Sequence, residues 1–171
     1  TQLALAVVYP GAGNLGGGGF LVGYTADTKT IALDYREKAP AAAQRDMYLN
    51  AAGEAQTQLS QNGHLAAGVP GTVAGLFTTH QYAKLPFAQL IQPAIELAEK
   101  GFVITEAEAR SLNRNMGDFI QYSTRPSAFI RYGGWKAGDT LVQRELATTL
   151  KRIRDAGRKG FYEGETARLF V

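Results

Sequence analysis

Between residues 11 and 19 the chain carries Gly11, Gly13 and the unbroken run Gly16-Gly17-Gly18-Gly19, and no regular element can pass through such a stretch. Each glycine loses more backbone freedom on ordering than any other residue, which disfavours helix or strand by roughly 0.5–1 kcal/mol per position. The segment must therefore be a loop that separates two structured stretches. Before it stands the apolar run Leu3-Ala4-Leu5-Ala6-Val7-Val8, a short buried helix or strand ended by Pro10. After it, Phe20 to Thr25 and Thr30 to Arg36 are rich in β-branched and aromatic residues around Ala26-Asp27-Thr28-Lys29, the pattern of a hairpin and its turn. Strand alternation puts Ile31, Leu33 and Tyr35 on one face, with Ala32, Asp34 and Arg36 on the other.

The loop also contains Gly11-x-Gly13-x-x-Gly16, the spacing of a dinucleotide-binding turn, with Asp34 roughly 20 residues beyond in the place of a ribose partner. That chemistry needs the third glycine to open a helix whose N-terminus faces the pyrophosphate. Here three more glycines come next and then the strand-like Phe20-Leu21-Val22-Gly23-Tyr24, so the nucleotide reading is set aside.

Downstream the pattern turns helical. Residues 40–63 read as loop with room for one helical turn, and Val69-Pro70-Gly71 leads sharply into a helix near 72–83. Phe87, Leu90, Ile91, Ala94, Leu97 and Ala98 recur at helical spacing up to Gly101, with a break expected at Pro93. Thr105-Glu106-Ala107-Glu108 is a capping-box signature for a helix to about residue 116. Residues 124–138 are irregular. Val142, Leu146, Leu150 and Ile153 then line one face of a helix closed by Gly157. The expected class is mixed α/β (α+β), an early hairpin followed mainly by helices, in one partial domain spanning 1–171. Thr1-Gln2 opens at once into apolar residues, and Ala167 to Val171 stops mid-pattern. We therefore expect a fragment, or a chain whose ends a partner subunit covers.

Composition narrows the chemistry. The chain has 171 residues, 45% hydrophobic and 19% charged, with a formal charge of +3, too small to call for nucleic acid or an anionic membrane as partner. The absence of cysteine excludes disulfides, thiolate metal sites and cysteine nucleophiles. With His64 and His80 alone, a multi-histidine metal site is not expected. The opening apolar run is far too short to span a bilayer, which takes about 20 residues.

Few side chains remain as candidates. Thr1 could act as an N-terminal nucleophile with its own amine as base, but Gln2-Leu3-Ala4-Leu5 gives it a greasy setting. Thr78-Thr79-His80 places hydroxyls beside an imidazole, yet neighbouring helical residues point apart and no acid is near in sequence. Lys151, Arg152, Arg154, Arg158 and Lys159, interspersed with Glu145 and Asp155, read as a solvated helix face. Arg36 ends a strand opposite the apolar face and offers a planar fork suited to a carboxylate. From spacing alone, a salt bridge to Asp34 two residues back is the favoured reading of it.

A set of ordered blocks changes that balance. Asn14 to Val22 (Asn-Leu-Gly-Gly-Gly-Gly-Phe-Leu-Val) and Ala32 to Pro40 (Ala-Leu-Asp-Tyr-Arg-Glu-Lys-Ala-Pro) resemble consecutive blocks of the gamma-glutamyltransferases. So do Gly68-Val69-Pro70-Gly71-Thr72-Val73-Ala74-Gly75-Leu76, Leu85-Pro86-Phe87-Ala88, Gln92 to Ala98, Lys100 to Val103, and Phe161-Tyr162-Glu163-Gly164-Glu165. Their order matches over nearly the whole chain and is weakest over 41–63 and 110–138.

The resemblance implies part of the large subunit of an N-terminal nucleophile hydrolase, a four-layer αββα sandwich made when a precursor cuts itself in two. It implies that Arg36 binds the α-carboxylate of a γ-glutamyl substrate such as glutathione. The nucleophile it implies is a threonine at the start of a small subunit, so no catalytic residue is assigned in this chain and the chain alone is expected to be inactive. No cofactor or metal is implied, and the family's usual place is periplasmic or extracellular. A glutaryl-side-chain β-lactam acylase of the same fold is the nearest rival, and a non-catalytic fragment the rival from another class.

Overall fold

The computed structural model describes residues 1–171. The opening apolar run, left between helix and strand by its pattern, is helix α1 (Gln2–Val8). The glycine-rich loop then folds back on it. Gly13 lies against the Ala6 amide so closely that a Cβ would come within 2.7 Å of that nitrogen. Strands β1 (Phe20–Tyr24) and β2 (Thr30–Asp34) pair antiparallel in the register Phe20↔Asp34, Val22↔Ala32, Tyr24↔Thr30, and Tyr35 N–H donates to the Gly19 carbonyl (2.9 Å) to extend the ladder. The alternation is as read from the sequence. Ile31, Leu33 and Tyr35 are half-buried, while Ala32, Asp34 and Arg36 face outward.

After a long irregular stretch come α2 (Thr57–Gln61), a 3-10 turn at His64–Ala66, and α3 (Thr72–His80). Helix α4 (Phe87–Lys100) is continuous, and the expected break at Pro93 is absent. A proline removes one helical hydrogen bond and frees the carbonyl four residues earlier. Here Pro93 and Gln89 both lie on the exposed face, where water can satisfy that carbonyl. The opposite face buries Ile91, Ala94, Ile95 and Ala98, which favours the unbroken helix. Burial of each isoleucine stabilises by about 1.5–3 kcal/mol, comparable to the proline's cost. Gly101, at φ 86°, then ends the helix in a conformation open to glycine and costly for other residues.

The capping box forms as its signature predicts: Glu108 N–H donates to Thr105 Oγ1 (3.3 Å) and Thr105 N–H to Glu108 Oε2 (2.6 Å), opening α5 (Glu106–Arg114). A further helix, α6 (Met116–Tyr122), comes next without a sequence signal of its own. Two-residue strands β3 (Phe102–Val103) and β4 (Thr140–Leu141) pair antiparallel across the irregular segment. That segment is pinned by Asn113, which exchanges hydrogen bonds with the Trp135 backbone at 2.9 and 2.7 Å. The chain closes with α7 (Arg144–Ala156), α8 (Lys159–Tyr162) and α9 (Gly164–Phe170).

The main core is formed by one face each of α1, α4 and α7. Leu3, Val7, Ile91, Ile95, Leu150 and Ile153 meet there, with Val73 and Phe161. Gln143, itself buried, ties the three helices: its side chain donates to the Val7 carbonyl (2.7 Å) and its backbone N–H to that of Ala98 (2.9 Å). A smaller core gathers Ile104, Ala109, Leu112, Trp135 and Leu141. No helix is long and apolar enough to cross a membrane.

Candidate functional site

Three glycines from two segments, the glycine-rich loop and the start of α3, converge on the end of β2. Gly18 packs on Arg36, where a Cβ would sit 2.7 Å from the Arg36 Cα. Gly71 lies against the Tyr35 and Arg36 carbonyls, and a Cβ there would come within 2.7 Å of the Arg36 oxygen and closer still to that of Tyr35. Gly75 faces the Tyr35 ring, with a Cβ position 2.6 Å from Cδ2. The Gly17 carbonyl accepts from both Gly71 and Thr72 N–H at 2.9 Å, joining the loop to the start of α3. Glycine is needed at Gly18 and Gly71 for close approach of backbone to backbone and at Gly75 to admit the Tyr35 ring, and the result is a tightly held Tyr35–Arg36 peptide.

The Arg36 side chain leaves this cradle toward solvent. Its expected salt bridge to Asp34 does not form. Asp34 Oδ1 instead accepts the Arg36 backbone N–H (2.9 Å), closing a short side-chain turn at the strand end. The guanidinium donates through Nε to Glu37 Oε2 (3.0 Å) and lies over the Phe20 ring, 5.7 Å from its centroid. Both Nη groups are free of hydrogen bonds within the chain. The Glu37 carboxyl is held below the usual glutamate range, first by its own backbone N–H and then by the Arg36 side chain. The ion pair is therefore intact above the ordinary glutamate pKa and is lost as pH falls through the lowered value. Arg36 is thus an oriented, charged fork with its outer edge open, suited to a planar carboxylate.

Beside it is a cavity of about 290 Å³ whose lining includes Asp34, Arg36, Lys38, Pro70, Arg158 and Tyr162, three cationic side chains against one carboxylate. A larger cavity, about 540 Å³, lies elsewhere, between the end of α1 and the α5–α6 pair, and includes none of these residues. We place the candidate site at the smaller one, because the oriented guanidinium is there. Arg158, which the sequence groups with a solvated face, stacks on Tyr162 (5.3 Å) and joins this lining. Only the fold could reveal that, since 122 positions separate it from Arg36. Of the rest of the cluster, Lys151 Nζ pairs with Glu99 (2.6 Å), Arg154 with Asp155 (2.7 Å) and Lys159 with Glu163 (3.9 Å).

The other candidates are accounted for locally. Thr78 and Thr79 hydroxyls donate to the Ala74 and Gly75 carbonyls one turn back (3.0 and 2.8 Å). His80 Nε2 meets the Leu85 carbonyl (2.9 Å), and its ring stands edge-on to Phe87. None of the three assembles with an acid into a nucleophilic arrangement. No group of three or more His, Cys, Asp or Glu side chains converges as a metal site.

This arrangement of helices with an early hairpin is shared with solved gamma-glutamyltranspeptidases, which have the N-terminal nucleophile hydrolase fold. The crystal structure of Helicobacter pylori gamma-glutamyltranspeptidase is similar with a TM-score of 0.91 and 43% identity, over 99% of this chain and 49% of that one. Among curated sequences, the "Glutathione hydrolase proenzyme" of Pseudomonas aeruginosa is 45% identical over 178 residues, covering all of this chain and 30% of that protein. The chain matches the family Gamma-glutamyltranspeptidase over residues 1–171 and belongs to it. It spans under a third of the length of such curated relatives. A cephalosporin acylase from Bacillus halodurans shares the fold at a TM-score of 0.77 but only 21% identity.

Proposed function

We propose that the protein to which these residues belong transfers or hydrolyses the γ-glutamyl group of glutathione-like substrates, with Arg36 holding the substrate's α-carboxylate. The observation that carries this reading is the open Nη edge of a guanidinium fixed by Glu37 and Phe20. Anchoring the far end of the substrate in this way presents the γ-amide carbonyl to a nucleophile at a set distance. That nucleophile is a threonine hydroxyl at the start of a partner small subunit. It attacks the carbonyl, the C–N bond breaks, and the amine leaves with the proton as a γ-glutamyl ester forms. Water or an acceptor amine then attacks the ester and returns the proton to threonine. No cofactor is needed for either half.

The 171 residues would be one part of a domain completed by the small subunit and the rest of the chain. The hairpin supports such a partner: its outer face exposes Phe20, Val22 and Tyr24, with Val22 82% accessible, while its inner face is apolar as well. A two-stranded sheet with large apolar side chains on both faces belongs between layers. We place the protein in the periplasm or outside the cell. An acylase preferring glutaryl chains would have no α-amino acid carboxylate for this fork.

The test is Arg36→Lys in the complete enzyme. Lysine keeps the charge and loses the planar fork, so KM for a γ-glutamyl anilide should rise roughly 10- to 100-fold, the scale of one or two charged hydrogen bonds. Near-unchanged KM and kcat would remove Arg36 from the substrate site.

A further inference from the structure

The first N–H groups of a helix lack intrahelical acceptors and are ordinarily met by the side chain of the N-cap residue. Helix α3 cannot use that device. Its N-cap is Gly71, and any side chain there would run into the Tyr35 and Arg36 carbonyls. The acceptors come from elsewhere: the Gly17 carbonyl takes Thr72 N–H, and the Tyr162 hydroxyl takes Ala74 N–H at 3.1 Å. The same hydroxyl donates to the Pro70 carbonyl at 2.7 Å, so one oxygen grips both sides of Gly71. Tyr162 stands 88 residues from Ala74 and 92 from Pro70 along the chain.

We propose that Tyr162 is a positioning residue for Arg36, replacing the missing cap of α3 and pressing the Pro70-Gly71 turn onto the Tyr35–Arg36 peptide. This rests on the reading of Arg36 as the carboxylate clamp. The path is short and mechanical. The hydroxyl fixes Pro70 and Ala74, Gly71 lies between them, and Gly71 is in contact with the backbone that carries the guanidinium. Loss of the hydroxyl frees the turn and widens the range of guanidinium positions. The nucleophile is on another chain and does not feel the change. The consequence is weaker recognition of an α-carboxylate with little effect on the chemical step.

The experiment compares Tyr162→Phe with the parent complete enzyme. Phenylalanine keeps the ring's edge-on packing against Phe161 (centroids 5.0 Å apart) and deletes only the oxygen. Two readouts are taken: kcat and KM for a γ-glutamyl anilide, and competitive inhibition by L-glutamate against 4-aminobutanoate, its analogue without the α-carboxylate. The expected result is a KM raised about tenfold, the scale of the two part-buried hydrogen bonds lost, with kcat within about twofold. The preference for glutamate over 4-aminobutanoate should shrink by a similar factor. Ile95→Val, a trim in the main core that removes neither hydrogen bond of the Tyr162 hydroxyl, serves as the control for general loosening. A fall in kcat alone, equal weakening of both inhibitors, or the same shift in Ile95→Val would overturn the proposal. Arg36→Lys separates the two ideas. If it abolishes the glutamate preference while Tyr162→Phe leaves it intact, the tyrosine proposal alone fails. If Arg36→Lys also leaves the preference intact, the clamp reading fails and takes the proposal with it.

Discussion

At the scale of single residues, the site is governed by what cannot be present. Gly71 has φ −100°, a value any residue adopts, so its identity comes from contact with the Tyr35 and Arg36 carbonyls and owes nothing to backbone strain. Gly71→Ala should therefore destabilise by about 1–3 kcal/mol through overpacking. Gly11→Ala, where nothing lies within 4 Å of the added carbon, should stay near parent stability in the same urea titration. Equal midpoints for the two variants would contradict the packing argument. Arg36 shows where sequence reading reaches its limit. Alternation located it on the outward face, but the choice between Asp34 and Glu37 as its partner was decided by the turn in which Asp34 accepts a backbone N–H. Spacing of two on a strand brings side chains to one face, and it does not say which of them the backbone will claim.

Among the elements, legibility tracks the strength of the local physics. The hairpin, the glycine loop, the capping box and the apolar stripe of α7 were all readable, because alternation, entropy and cap chemistry act within a few residues. Strands β3 and β4 were not, since two-residue strands carry no period and arise when distant segments meet. Helices α6, α8 and α9 are only four to seven residues long, too short for a hydrophobic period to show. Pro93 misled for a related reason: its cost is local, whereas the packing of α4 on α1 and α7 that outweighs it is tertiary. The cap of α5 is self-contained, and Thr105→Ala should cost about 1 kcal/mol. Thermal unfolding of that variant should show a lower midpoint, and an unchanged one would mean that the reciprocal bonds add nothing.

For the molecule as a whole, helices α1, α4 and α7 bury their apolar faces against one another, while the hairpin leaves its own uncovered. The 171-residue chain expressed alone should show no turnover of a γ-glutamyl anilide and should self-associate through its exposed Phe20, Val22 and Tyr24 face. Activity from a monodisperse monomer in a chromatography and turnover assay would refute both expectations. The tie between Tyr162 and the start of α3 has a further consequence, for the order of events during synthesis. Arg36 leaves the ribosome before Tyr162, so on the proposed reading the turn that sets it waits for a tyrosine made more than a hundred residues later. On that reading, the clamp is translated well before the residue that fixes it.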